Sequence, residues 1–405
     1  MPLPSSGPIS FSNIQTEFGG TNPISLSEYY AGGELVPATA SGTFGAVPGS
    51  GAIRLGIFFG TQDRIPGVDY TFRDLPNPPP FNTAFYPSAS TFAVVWTGTQ
   101  FLIGGGRGFI ATSPDGITWT YQIGYANLFG TNQTVDAVVW SGTQFLVGGT
   151  YNSSAGSQIA TSPDGITWTV QYGLVNTAYS NGNVKAAVWT GTQFLVVGAP
   201  NKVATSPDGV NWTNQTGLGA SEFGNGSPQA AVWTGTQFLV GGVLGKIATS
   251  PDGITWTNRP GLIATTYSQR PVRAISWTGT QFLVVGGPAA ATSPDGITWT
   301  YQGGLESTTF TYITRDNGLN ATDARAISWD GTQFLVVGLH GRAATSPDGI
   351  TWTNRSASLQ ALIGSSRSTA VDFAFDGGAS GAHAIIWTGN RFLIGVANSA
   401  VVTSP

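Results

Sequence analysis

The side chains with the most regular spacing for chemistry are six aspartates. Asp115, Asp164, Asp208, Asp252, Asp295 and Asp348 each sit in the phrase Thr-Ser-Pro-Asp-Gly-Ile-Thr-Trp-Thr, with Val210 and Asn211 substituted in the third copy. A carboxylate in a Pro-Asp-Gly turn accepts backbone N–H bonds, and the glycine takes a conformation other residues resist. Glycoside hydrolysis needs instead two carboxyl groups about 5–10 Å apart. One aspartate in each of six repeats does not make one catalytic centre, so these six are read as structural turn residues. The five glutamates supply no partner, because Glu17, Glu28 and Glu34 lie near the N-terminus and Glu222 and Glu306 lie between repeats. The chain has two histidines and no cysteine, which excludes a thiolate-metal site and a catalytic cysteine. The sequence has no phosphate-binding loop and no nucleophile elbow. It is expected not to be an enzyme and to use no cofactor and no metal.

A second set of residues shares one register position, just ahead of an apolar run that ends in tryptophan. These are Phe92, Asp136, Lys185, Gln229, Arg273, Arg325 and His383. Six of the seven are polar in a chain with only 9% charged residues. Lysine and arginine donate charge-assisted hydrogen bonds to carboxylate and phosphate. Lys185, Arg273, Arg325, His383, Asp136 and Gln229 are therefore candidate binding residues for an anionic or strongly hydrogen-bonding ligand. The alternative is a solvated rim that keeps a channel wet.

The elements that must position both sets follow from the repeats. A second phrase, Ala-Val-Val-Trp-Thr-Gly-Thr-Gln-Phe-Leu at residues 93–102, recurs around Trp140, Trp189, Trp233, Trp277, Trp329 and Trp387. Seven tryptophans of this phrase and six of the aspartate phrase account for all thirteen. The steps between them are 44, 49, 44, 44, 52 and 58 residues. Each unit reads as four short strands: Ala186–Trp189, Phe194–Val197, Lys202–Ser206 and Val210–Thr213 are one set, with turn residues between them. That period and strand count predict a mainly β chain forming a seven-bladed β-propeller with four-stranded antiparallel blades. The seventh unit stops at Thr403-Ser404-Pro405, before its fourth strand. Gly67-Val68-Asp69-Tyr70-Thr71 matches Gly209-Val210-Asn211-Trp212-Thr213 position by position. The strand near residues 67–73 is thus expected to complete the last blade, three strands plus one, so that no edge is left exposed. The domains are read as 1–62, a small N-terminal module, and 63–405, the propeller.

Blade topology sorts the turns onto two faces. The near-constant Thr-Gly-Thr-Gln and Ser-Pro-Asp-Gly turns share one face, and the variable turns and inter-blade links share the other. A constant scaffold opposite a diversified surface is the arrangement of a binding face. The links collect Tyr125, Phe129, Tyr179, Tyr267, Phe310, Tyr312, Phe373 and Phe375. They are read either as stacking platforms for sugar rings or as packing that holds the loops down.

Residues 1–62 carry a different pattern. Phe11, Phe18, Tyr29, Tyr30, Phe58 and Phe59 are too apolar for a free tail and are read as assembly contacts, the alternative being a cap packed on the propeller. The phrases Ser6-Gly7-Pro8-Ile9-Ser10-Phe11-Ser12, Ile14-Gln15-Thr16-Glu17-Phe18-Gly19-Gly20 and Asn22-Pro23-Ile24-Ser25-Leu26-Ser27-Glu28-Tyr29-Tyr30 resemble the N-terminal segment of tailed-bacteriophage virion proteins. The similarity is to tail and fibre-like proteins of phages infecting cyanobacteria, and it implies an attachment role. The phrase Ser113–Trp119 also resembles the Asp-box of sialidase-like propellers, with one residue fewer between aspartate and tryptophan.

Together these readings give an expected virion structural protein, on a tail fibre, baseplate or other particle surface, whose propeller binds a host-surface receptor of glycan type. The N-terminal module is expected to contact other virion proteins and to form a homo-oligomer on the particle. The alternatives are a bacterial lectin-like or scaffold propeller, or a decoration protein without receptor binding. The net charge of −4 speaks against nucleic acid as a partner. The N-terminus lacks a signal-peptide pattern, and no stretch is long and apolar enough to span a membrane. Localisation is expected in the virion, after synthesis in the host cytoplasm.

Overall fold

Seven copies of one strand pattern make seven antiparallel sheets of four strands each, arranged as the blades of a propeller. The computed structural model describes residues 41–42, 45–46, 71–74, 90–122, 133–152, 157–177, 179, 182–218, 223, 227–267, 269–310, 323–357, 359, 381–396 and 400–403. The chain divides into two compact units, Met1–Asp69 with Pro405, and Tyr70–Ser404. In the first, the described residues form one small hairpin, Ser41–Gly42 paired with Gly45–Ala46. The second is the propeller.

Blade 3 shows the unit. Its strands are Asn183–Trp189, Phe194–Ala199, Lys202–Ser206 and Thr213–Gln215, hydrogen-bonded in sequence order. The fourth strand starts at the threonine after the tryptophan, later than the sequence reading placed it. The hexapeptide Pro207–Trp212 forms the turn that the carboxylate organises. First strands of consecutive blades lie side by side, and that of blade 7, Ala382–Trp387, meets that of blade 1, Thr91–Trp96. The ring is closed.

Blade 7 takes its fourth strand from the other end of the chain. Its order is Ala382–Trp387, Phe392–Val396, Ala400–Thr403 and then Thr71–Asp74. Thr71 pairs with Thr403 in the register in which Thr213 pairs with Thr205. The expected three-plus-one closure holds, with the strand at Thr71–Asp74 rather than centred on the preceding residues. Residues 67–70 of the matching phrase lie outside the described residues.

Second strands are buried along their length, as at Phe194–Val197. They sit mid-blade between neighbouring blades, so both of their faces are covered and the apolar run is continuous instead of alternating. Each first-strand tryptophan packs on the phenylalanine paired with it, with ring centroids 4.2 Å apart at Trp96–Phe101 and 4.7 Å apart at Trp387–Phe392. Among the turn tryptophans, Trp119, Trp212, Trp256, Trp299 and Trp352 are buried. Each such ring removes ~150–250 Å² from water, roughly 4–6 kcal/mol before entropy is counted.

Two further devices join blades. Gln144 Nε2 donates to the Asp208 carbonyl at 2.8 Å, and Gln193 Nε2 to the Asp252 carbonyl at 3.1 Å. Gln100, Gln237 and Gln281 reach the next blade in the same way. The links carry a repeated Gly-Leu-x4-Tyr/Phe staple: Leu174 with Tyr179, Leu218 with Phe223, Leu262 with Tyr267, and Leu305 with Phe310. All eight side chains are buried. The hydroxyls of Tyr179 and Tyr267 donate to the Asn183 and Pro271 carbonyls.

Candidate functional site

The first strands of all seven blades line a central cavity of about 240 Å³. At its mouth stand Phe92, Asp136, Lys185, Gln229, Arg273, Arg325 and His383, the set that the register grouped. Their backbone setting differs from the expectation. Six of them lie inside the first strand, at a β-bulge, instead of just before it. The ladder skips one residue between Thr91 and Ala93, and likewise at 135/137, 184/186, 228/230, 324/326 and 382/384. The skipped residue is the mouth residue each time. A bulge leaves its extra residue outside the pairing and re-aims the side chain. In blade 5 the strand begins at Ala274, and the Arg273 N–H donates to the Val285 carbonyl at 2.8 Å. The residue after each mouth position is alanine in every blade, from Ala93 to Ala384.

The mouth is less cationic than its residue types suggest. Lys185 Nζ lies 2.7 Å from Asp136 Oδ2. Arg325 Nε lies 2.9 Å and Arg273 Nε 3.5 Å from Asp323 Oδ2. Arg273 Nη1 also donates to Gln229 Oε1 at 3.3 Å. Two carboxylates against three cations leave one net positive charge while His383 is neutral. Burial lowers the Arg325 pKa and Asp323 opposes that shift, but a guanidinium stays charged throughout. Phe92 and His383 meet edge to face, with centroids 5.4 Å apart. The mouth therefore has an aromatic arc, a closed ion pair and a donor-rich arc spanning blades 4 to 6.

Asp323 escaped the sequence reading. It precedes the first strand of blade 6, at the position held elsewhere by Ser90, Thr134, Asn183, Ser227, Pro271 and Gly381. It is the single acid at that position, two residues before Arg325, and that spacing was the available signal.

The six turn aspartates share one geometry. Asp115 Oδ1 accepts the N–H groups of Thr118 at 2.7 Å and Ile117 at 2.8 Å, and the Ser113 hydroxyl at 3.0 Å. The indole Nε1 of Trp119 donates to the Gly116 carbonyl. The backbone donors of Thr118 and Ile117 hold the Asp115 carboxyl below its ordinary value. At Asp208 burial acts upward, but the hydrogen bonds of Asn211, Val210 and Ser206 outweigh it and bring the carboxyl down to about 2.

The link aromatics divide differently from the sugar-stacking expectation. Tyr179, Tyr267 and Phe310 are fully buried in the staples and present no face to a ligand. Tyr125, Phe129, Tyr312, Phe373 and Phe375 lie outside the described residues. So do the six aromatics of the N-terminal segment, Phe11, Phe18, Tyr29, Tyr30, Phe58 and Phe59.

Solved structures with the same architecture share little sequence with this chain. A structure of YCF48 bound to D1 peptide superposes with a TM-score of 0.57 at 12% identity, covering 85% of this chain and 96% of that one. YCF48 from Cyanidioschyzon merolae gives 0.56 at 14% identity, over 83% and 98%. The WD40 β-propeller domain of Doa1 gives 0.53 at 10% identity, over 83% and 97%. Likeness at this identity fixes the fold alone. No protein-family model matches the chain, and no curated protein does.

Proposed function

We propose that this chain is a bacteriophage virion protein whose propeller binds a host-surface glycan at the channel mouth, without catalytic turnover. The observation that carries the binding reading is the contrast between adjacent positions of the first strand. The bulged position holds Phe, Asp, Lys, Gln, Arg, Arg and His in turn, and the next position holds alanine seven times. Side chains that the ring needs for folding recur in every blade. The mouth side chains gather at one place and, arginine apart, do not recur, as the parts of a single asymmetric site do. The cavity of about 240 Å³ lies below the ~300–1,000 Å³ of pockets for drug-sized ligands, which suits one sugar unit of a longer chain.

The particle assignment is supported by the resemblance of Ser6–Tyr30 to tailed-phage virion proteins. In this reading residues 1–62 attach the propeller to other virion proteins and bring several heads together. Heads acting together raise a weak single-site affinity by avidity. Capture of a peptide at the same mouth is the second reading, favoured by the solved propeller that holds one.

The test has two parts. Mass spectrometry of purified particles is expected to find the chain, and the full-length protein is expected to bind cyanobacterial envelope polysaccharide. The double variant Arg273→Ala/Arg325→Ala should bind that polysaccharide more weakly and with less salt dependence, with an unchanged circular dichroism spectrum. Envelope binding equal to the parent's removes the mouth as the site, and absence from particles removes the virion assignment.

A further inference from the structure

The mouth carries a fixed internal carboxylate, and its position decides what charge a ligand can bring. Asp323 Oδ1 accepts the Gly287 backbone N–H at 2.6 Å, while Oδ2 faces Arg325 and Arg273. Its side chain is 14% exposed and is held by backbone on one side and guanidinium on the other. Lys185 and Asp136 satisfy each other between adjacent blades. Arg325 is different. It meets Asp323 through Nε, its side chain is 28% exposed, and its terminal nitrogens make no hydrogen bond among the described residues.

We propose that this arc selects monoanions: the terminal nitrogens of Arg325, with Arg273 beside them, take the one carboxylate of an acidic sugar, and Asp323 excludes dianions such as phosphate esters. This rests on the mouth being the ligand site, as proposed above. The planar guanidinium matches a carboxylate with two parallel N–H bonds. One incoming negative charge balances the net positive charge of the mouth. A second would stand uncompensated beside Asp323 in a partly buried cavity, where like charges are disfavoured. Asp323 thus acts as a specificity-determining residue and not as a ligand contact.

Calorimetry on the full-length protein at pH 8 tests this with sodium glucuronate, glucose and glucose 6-phosphate. At that pH an ordinary imidazole is neutral and the phosphate ester is a dianion. The parent is expected to bind glucuronate about tenfold or more tightly than either other sugar. Arg325→Ala should bind glucuronate no better than glucose. Asp323→Asn retains an acceptor for the Gly287 N–H, and should bind glucose 6-phosphate about tenfold more tightly than the parent does. A purely structural role for Asp323 would weaken all three sugars together. The proposal is overturned if the parent does not prefer glucuronate, or if Asp323→Asn leaves the phosphate ester as weak as before. Should Asp323→Asn not fold, the parent's ranking of the three sugars decides. Failure here, with envelope binding still lost in Arg273→Ala/Arg325→Ala, leaves the mouth reading in place; unchanged envelope binding ends both.

Discussion

At the scale of single residues, the turn aspartates show how a repeated charge serves the fold. Each carboxylate is surrounded by its own turn's N–H groups, so ionisation and turn formation stabilise each other. Folded-state values lie below the ordinary 3.8 at all six sites, reaching about 2 at Asp208. With the folded value depressed, the contribution to stability is complete above the unfolded pKa and disappears as pH falls through the folded one. Each site is largely solvated and contributes little alone, but six act in the same direction. Melting temperature is expected to be level above about pH 5 and to fall steadily toward pH 2. Asp208→Asn should reduce that slope. A melting temperature independent of pH across this range would show that the turns hold without the carboxylate charge.

At the scale of elements, the links are as regular as the blades. Glycine opens each staple because the next blade's backbone comes too close for a side chain. At Gly217 an added Cβ would lie 2.2 Å from the Ile254 carbonyl oxygen and 3.0 Å from Trp256 Cδ1. Gly173, Gly261 and Gly304 face the equivalent carbonyls of Val210, Ile297 and Ile350. Gly217→Ala is expected to destabilise the propeller by about 1–3 kcal/mol, as overpacking of a well-filled site does. Urea denaturation measures this. An unchanged midpoint would mean that the link yields without disturbing the turn tryptophan, and the staple would then be slack.

For the whole molecule, closure joins residues far apart in the chain. Thr71–Asp74 covers the edge of Ala400–Thr403, and without it that edge would be open to pairing with another chain. Removing residues 1–62 is expected to leave the melting temperature of the propeller unchanged. Removing residues 1–75 takes the closing strand away and should lower the melting temperature sharply and cause aggregation. Equal stability of the two truncations, by calorimetry and light scattering, would show the three-plus-one closure to be dispensable. The shorter truncation also bears on assembly, since a monomeric head beside an oligomeric full-length chain assigns association to the N-terminal segment.

The sequence by itself determined the blades. Strand order and the number seven were legible because six blades are built from neighbours close in the chain and their phrases recur with their turns. The closing strand and its register at Thr71 were legible because Gly67–Thr71 repeats the phrase that the seventh unit lacks. It also grouped the mouth residues, since equal positions in equal repeats must fall on one ring. The tertiary structure alone decided their charge. Lys185 meets Asp136 from 49 positions away and Arg273 meets Gln229 from 44, each across a blade boundary. Asp323 stands at a repeat position that is uncharged in the other six blades, and it reaches Arg273 from the neighbouring blade as well as Arg325 from its own. Link aromatics likewise look the same in sequence whether they face solvent or core, and Tyr179, Tyr267 and Phe310 proved to be core. Local pattern fixes which atoms lie near each other along a strand. Which charges cancel and which rings are covered depends on packing between blades, and that exists only once the ring has closed.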